Sequence, residues 1–246
     1  MIELPVSNGK QRAAWEALFE IYGALPEGWV LAGGQAVYLH AIERNAGVVR
    51  PTEDADTVLD IRNSQGMLQT FTAKLLELGF ESSGESPAGH QHRWTRGHAM
   101  IDVLIPRFTG ERSEKRPGAT GGTTIAAPAG QTAVSRSETV EVSVTGESFG
   151  FVNRTTLLGS LIGKSAALQI VDDPKWKRHV TDFLVLASVL RRTDLRGSEL
   201  GRAEKKHLAN MLGLLARNPA WLAGEEDAAR GVERLRLFLS PKPVGA

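Results

Sequence analysis

The sequence contains no cysteine among its 246 residues, so it forms no disulfide, no cysteine-ligated zinc site and no thiol nucleophile. This fits a reducing compartment, and we expect a cytoplasmic protein. Long apolar runs are also missing, because the most apolar stretch, Phe183–Leu190, is far shorter than the roughly 20 residues of a membrane-spanning helix. The segment Met1–Lys10 lacks the basic and apolar parts of a secretory signal. The sequence therefore predicts no membrane association.

Net charge is nearly absent, at +1, but the charge is unevenly distributed. Residues 174–217 contain ten Lys or Arg and four Asp or Glu, a local charge of +6. Such an excess favours an anionic partner. The six histidines show no H-E-x-x-H spacing and no G-x-S-x-G motif is present, so zinc hydrolases and serine hydrolases find little support.

Hydrophobic periodicity predicts an α/β amino-terminal region followed by helices alone. Strands are predicted at 29–32, 57–61, 92–95, 99–105 and 139–144, with a turn at Gly146. Helices are predicted at 10–24, 35–44, 64–78 (starting with Ser64), 156–171, 175–191, 199–217 and 226–238. Residues 106–122 are expected to form a functional or mobile loop. We predict two domains, a mixed-sheet core at 1–153 and a helical domain at 154–246 that completes an active site.

Gly33 and Gly34 lie between a predicted strand and a predicted helix. Two glycines let the backbone approach a ligand closely, and a helix N-terminus offers unpaired N–H groups that suit a phosphate. A tight strand-to-helix turn would need the same residues.

Asp54 and Asp56 stand two residues apart at the start of a predicted strand, so both carboxylates face one side. Adjacent carboxylates repel each other unless a cation lies between them, and Mg²⁺ prefers oxygen ligands. A solvated acidic loop is the alternative. Asp102 stands inside the apolar strand Ala99–Ile105 and would supply a third carboxylate for a two-cation site. An edge strand with Asp102 facing water is the alternative.

Lys164 lies on the apolar stripe of its predicted helix, and Asp182 lies beside apolar neighbours on the next helix. A lysine and an aspartate that both point inward usually have partners there. A Lys that extends to solvent at the helix edge, with an Asp that pairs locally, is the alternative.

Together these motifs resemble the AbiEii/MenT-type nucleotidyltransferases, which are toxins of bacterial toxin–antitoxin and abortive-infection systems with a DNA-polymerase-β-like catalytic fold. The matching segments are 31–36 (LAGGQA), 50–56 (RPTEDAD), 92–94 (HRW), 101–104 (IDVL), 164–167 (KSAA) and 177–182 (KRHVTD). The resemblance implies an α/β fold with a mixed sheet and a helical carboxyl-terminal part.

The resemblance also implies residue roles. The nucleotide-binding residues would be Gly33, Gly34, Gln35 and Lys164. The catalytic residues would be Asp54, Asp56, Asp102, Lys164 and Asp182. Mg²⁺ would bind to Asp54, Asp56 and Asp102, and a nucleoside triphosphate (NTP) would be the cosubstrate.

The implied reaction is transfer of a nucleotide to RNA, with the 3′ end of tRNA as acceptor, in a toxin with a cognate antitoxin. Candidate RNA-binding residues are Arg191, Arg192, Arg196, Arg202, Lys205 and Lys206. The same residues would also suit the solvated face of amphipathic helices. Two other functions stay open. One is transfer to a small-molecule or protein hydroxyl, and the other is a catalytically silent nucleotide-binding module.

Overall fold

The computed structural model describes residues 1–5, 8–47, 50, 52–145, 148–170 and 173–240. The strands are β1 (Ile2–Leu4), β2 (Trp29–Leu31), β3 (Asp54–Leu59), β4 (Glu81–Ser82), β5 (Arg93–Arg96), β6 (Ala99–Pro106), β7 (Ile125–Ala127), β8 (Ser137–Val144) and β9 (Ser148–Thr155). The helices are α1 (Gly9–Ala24), α2 (Gly33–Glu43), α3 (Met67–Glu77), α4 (Glu111–Glu114), α5 (Gly130–Ser135), α6 (Leu157–Ala167), α7 (Lys177–Ser188), α8 (Arg202–Arg217) and α9 (Glu226–Leu239). Two 3₁₀ turns lie at Arg192–Leu195 and Pro219–Leu222.

The strands form one mixed sheet in the order β1-β8-β9-β2-β3-β6-β5-β4, with β7 also paired to β6. In its centre, β3 is antiparallel to β2 and parallel to β6, and β6 is antiparallel to β5. The predicted mixed α/β class with a helical carboxyl-terminal part is confirmed.

The described residues form two large apolar cores and one small apolar cluster, the latter made of Val30, Val58 and Ala133. One large core lies between the sheet and helices α1 to α3, where Trp15, Phe71 and Trp94 are fully buried. The other lies among α6 to α9 and includes Val37 of α2. Helix α2 therefore touches both cores, and its N-terminus lies where the sheet and the carboxyl-terminal helices meet. The domain boundary at 153/154 stays a prediction, although β9 itself runs to Thr155.

Several element boundaries differ from the predicted ones. Strand β3 begins at Asp54 rather than Thr57, because its pairing with β6 extends to the Asp54–Met100 pair. Helix α3 begins at Met67 rather than Ser64, because Ser64 donates to the Asp60 carbonyl in a preceding turn.

Other elements were not predicted. Strands β7 and β9, the short helix α5 and the α4 turn inside the 106–122 loop carry weak periodicity. The predicted turn at Gly146 lies outside the described residues. No helix in the described ranges combines the length and apolar character needed to cross a bilayer.

Candidate active site

The turn between β2 and α2 brings Gly33 against a carboxylate. Gly33 has a φ of +62°, and a Cβ there would lie 1.7 Å from Oδ2 of Asp56. A Cβ on Gly34 would lie 3.0 Å from Oγ1 of Thr52. Glycine is therefore required for close packing on the acidic segment. The first-turn N–H groups of α2 have no partner within the helix by geometry, so they also suit a phosphate.

Three carboxylates share one face of the sheet. Asp56 is the register partner of Asp102 on the neighbouring parallel strand, and Asp54 precedes Asp56 by two residues. Thr52 donates from Oγ1 to Oδ1 of Asp54 at 2.7 Å. The predicted convergence of Asp54 and Asp56 agrees with this geometry.

The environment of Asp56 disfavours its ionised form. Burial, followed by the nearby charges of Asp54 and Asp102, raises the pKa of Asp56 to about 6, while Lys164 and Arg178 oppose this increase. A carboxylate with this repulsion gains from an added cation.

Asp102 forms an ion pair with an arginine. Arg93 donates from Nε to Oδ1 of Asp102 at 2.8 Å and from Nη2 to Oδ2 at 2.7 Å. The Asp102 side chain is only 9% exposed and its strand is internal, so an edge position facing water is wrong. Both oxygens of Asp102 accept a hydrogen bond from Arg93, and its expected role as a metal ligand stays a prediction.

Lys164 and Asp182 pair across two helices. Lys164 Nζ lies 2.8 Å from Oδ2 of Asp182, and both side chains are buried. Arg50 Nη2 lies 3.5 Å from the same oxygen. The alternative of a Lys extended to solvent at the helix edge is therefore wrong. The helical region contributes a fixed ion pair beside the sheet carboxylates.

Gln35 was expected to contact the nucleotide, but its side chain contacts the backbone of Thr52. Its side chain is fully buried and donates from Nε2 to the Thr52 carbonyl at 2.9 Å. It holds the segment before Asp54 against α2. Only its backbone N–H, in the first turn of α2, is suitable for the expected nucleotide contact.

Asp54 and Asp56 fit a divalent cation, because a cation would relieve the repulsion between these carboxylates. Mg²⁺ accepts such oxygen ligands together with phosphate and water. Within the described residues, no group of three or more acidic or histidine side chains is arranged to hold a metal ion by itself. A cation on this pair would therefore need substrate or water oxygens to complete its ligands.

Sequence reasoning missed the cations around these carboxylates. Arg93 was noticed only as part of a matching segment, and its pairing with Asp102 follows from strand register. Arg178 lies one helical turn before Asp182 on α7. His179, whose pKa is lowered by burial and by Lys164, bonds through Nε2 to Oδ2 of Asp173 at 2.9 Å. The sequence signal for this group is the basic stretch that begins at Lys175.

Helices α2 and α7 pack against each other. Near their C-terminal ends, Arg44 donates to the Val189 carbonyl at 3.1 Å. Near their N-terminal ends, the charge of Arg178 acts on Asp56, which touches Gly33. Asp56 therefore lies at the N-terminal end of α2, where the charge of Arg178 also acts on it.

The predicted RNA-binding cations are all exposed. They are Arg191, Arg192, Arg196, Arg202, Lys205 and Lys206. The first three follow α7 directly, beside the C-terminal end of α2, which is about 16 Å from Gly33 along the helix axis. The exposed segment Lys175–Arg178 contains three cations and Trp176, and the charge of its Arg178 acts on Asp56.

The fold is similar to a solved structure of an antigenic nucleotidyltransferase-like protein from Paracoccidioides brasiliensis, with 17% sequence identity and a TM-score of 0.53. The match covers 92% of this chain and 95% of that chain. No protein-family model matches the chain, and no curated protein sequence matches it significantly. The comparison confirms the expected nucleotidyltransferase-like fold. The relationship to the AbiEii/MenT family stays a prediction.

Proposed function

We propose that the chain is a Mg²⁺-dependent nucleotidyltransferase that transfers a nucleotide from an NTP to RNA, with the 3′ end of tRNA as acceptor. The observation that carries the chemistry is the convergence of Asp54 and Asp56 on one face of the sheet, beside the glycine turn and the Lys164–Asp182 pair. The RNA acceptor and a role as a toxin with a cognate antitoxin rest on the resemblance of the motifs.

Substrate binding would use groups of three kinds. The first-turn N–H groups of α2, at Gly33, Gly34 and Gln35, would donate to phosphate oxygens. Lys164 would place positive charge near the leaving pyrophosphate, and Asp182 holds its ammonium in position. A metal ion bound by Asp54 and Asp56 would align the α-phosphate and lower the pKa of the attacking hydroxyl.

Phosphoryl-type transfer depends more on position and charge neutralisation than on covalent catalysis. In the proposed function, the chain would provide both the positioning and the charge neutralisation. The contacts of Gly33 with Asp56, and of Gln35 and Thr52 with the segment before the strand, fix the two carboxylates relative to the helix N-terminus. The acceptor hydroxyl would then release its proton to water and attack the α-phosphate. Its oxygen would form the new phosphodiester bond while the bond between the α-phosphorus and the pyrophosphate oxygen breaks.

The test is a label-transfer assay. Wild-type protein, Mg²⁺, each labelled NTP in turn and total bacterial tRNA should give labelled RNA with one or more nucleotides. Asp56→Asn should abolish the label, whereas Asp60→Asn should retain it, because Asp60 bonds to Asn63 beyond the end of the same strand. Wild-type protein that binds an NTP but labels no RNA would contradict the RNA acceptor, and absence of NTP binding would contradict the enzyme.

The toxin role needs a separate test. Induced expression of the wild-type chain in bacteria should arrest growth, and Asp56→Asn should not. Equal growth with both proteins at equal expression would contradict this part of the proposal.

A further inference from the structure

Arg93, Asp102 and Asp56 form one row across three neighbouring strands. Arg93 is the register partner of Asp102, which is in turn the partner of Asp56. Partners in adjacent strands are about 5 Å apart and point to the same face. A guanidinium therefore stands at the end of the carboxylate row, with its side chain 39% exposed.

The guanidinium of Arg93 lies against Asp102 and Asp54, at the position that a second metal ion bound to these carboxylates would need. It uses Nε and Nη2 to bond both oxygens of Asp102, and Nη2 also lies 3.7 Å from Oδ2 of Asp54. The interaction with Asp102 raises the pKa of Arg93, so the cation stays charged. The planar fork of Arg suits this two-bond contact, which is stronger and more directional than a single ion pair.

We infer that Arg93 takes the place of a second divalent cation, so that the site binds one metal ion, on Asp54 and Asp56. Asp102 then positions Arg93 and does not ligate metal. The Nη1 group of Arg93 makes no hydrogen bond to the described part of the chain, so it can donate to a substrate phosphate. This inference deepens the proposed function, since it concerns the same site.

The test counts metal ions on the intact protein. Mn²⁺ is titrated alone and then with a nonhydrolysable NTP analogue, and bound Mn²⁺ is measured by electron paramagnetic resonance. We expect one Mn²⁺ per chain in both cases and no signature of a coupled pair. Two Mn²⁺ ions per wild-type chain, or a coupled pair, would overturn the inference.

Three variants separate the possible ligands. Asp102→Asn should still bind one Mn²⁺ with an affinity within about threefold of wild type, because a factor of three is under 1 kcal/mol. Arg93→Met, checked for folding by circular dichroism, should bind two. Arg96→Met is the matched control on the same strand and should bind one, because Arg96 pairs with Glu20 away from the site.

A folded Arg93→Met that binds only one Mn²⁺, or an Asp102→Asn that loses the ion, would contradict the inference. If Arg93→Met does not fold, the wild-type and Asp102→Asn counts decide. Because the count needs no RNA and no turnover, it is independent of the label-transfer result. One bound ion without transfer would leave this inference intact and contradict the proposed function, and two ions with transfer would do the reverse.

Discussion

The two ends of α2 differ in how their charges are compensated. At the C-terminal end, Glu43 pairs with Arg154 at 2.5 Å and Asp194 pairs with Arg44 at 2.6 Å. At the N-terminal end, Asp56 has no ion pair to any described residue, and its neighbours Asp54 and Asp102 raise its pKa. Closed ion pairs contribute to stability, whereas a carboxylate repelled by its neighbours would gain from an added cation. One helix therefore joins an end with closed ion pairs to an end that, under the proposed function, binds the ligand.

The largest effect should come from Asp56 at the N-terminal end. We expect Asp56→Asn to lower nucleotide transfer about 1000-fold, since a metal ion contributes several kcal/mol of transition-state stabilisation. Its thermal stability should not fall, because the substitution removes a carboxylate that is repelled by its neighbours. Transfer rates and melting temperatures measure the two effects, and Asp60→Asn is the control. Transfer at the wild-type rate by Asp56→Asn would place the chemistry elsewhere.

Gly33→Ala should have the next largest effect. The added Cβ would clash with Asp56, and a displacement of about 1 Å at an active site lowers rates about 100-fold. Gly97→Ala is a matched control, because Gly97 also has positive φ, +55°, but nothing lies within 4 Å of a Cβ there. Gly97→Ala should lose about 1 kcal/mol of unfolding free energy from backbone strain, and Gly33→Ala should lose more because of the added clash. Only Gly33→Ala should lose transfer, and equal loss in both would show that backbone strain alone is responsible.

Arg44→Ala tests the C-terminal end. It leaves Asp194 without its two-bond partner and the Val189 carbonyl without a donor. We expect a loss of about 2 kcal/mol in unfolding free energy, measured by urea denaturation, with transfer per folded molecule unchanged. Arg230→Ala removes an exposed ion pair and should cost under about 0.5 kcal/mol. If Arg44→Ala lowered transfer as much as Gly33→Ala, the two ends would not be functionally distinct.

Substitution of the exposed cations should have a smaller effect on KM for RNA. The effect distinguishes RNA binding at Lys175 and Lys177 from RNA binding at Arg191 and Arg192. Replacing Lys175 and Lys177 with Gln should raise KM for RNA about fivefold and weaken its salt dependence, because both lie within three residues of Arg178, whose charge acts on Asp56. The corresponding change of Arg191 and Arg192 should leave KM unchanged. The opposite result would support the original prediction that the second group binds RNA. Trp176→Ala measures any contribution from base stacking, which is about 1–3 kcal/mol per base.

The smallest effect is a pH dependence from His40, near the C-terminal end. Burial, with the Arg154 charge, lowers the pKa of His40 to about 3, so His40 is neutral in the folded protein. The unfolded chain binds a proton below its ordinary pKa of 6.5, so stability falls as pH decreases from 6.5 toward 3. Between pH 6.5 and 5.5 wild type should lose about 1 kcal/mol more than His40→Gln in urea denaturation. His98→Gln, at an exposed position, should behave like wild type.

Local pattern was sufficient for much of the fold. The strand before Gly33, the amphipathic face of α3 and the helices after residue 156 follow from apolar spacing and capping residues. Strand β9 was missed because Gly150 interrupts it and two of its aromatic side chains, Phe149 and Phe151, are exposed. Its burial is decided by the neighbouring strands and α1, which a local pattern does not contain.

The site could be predicted only in part for a similar reason. Asp54 and Asp56 share a face because two-residue spacing fixes it in any strand. The Arg93–Asp102 contact depends on the register between β5 and β6, and the Gln35 contact on the path of the chain before Asp54. These two contacts could not be predicted, because the residue spacing along one strand or helix does not indicate which element packs against it.

The position of Lys164 and Asp182 in the sequence also bears on when the proposed site is completed during synthesis. Gly33, Asp54 and Asp56 leave the ribosome early, but their basic partners are carried by helices encoded in the last third of the sequence. Domains generally fold as their segments emerge, N-terminal parts first. A nascent chain halted before α6 would carry the acidic strand and Arg93 but not Lys164 or Arg178, the cations whose charges act on Asp56. Under the proposed function, synthesis would therefore delay the reaction until most of the polypeptide has been translated.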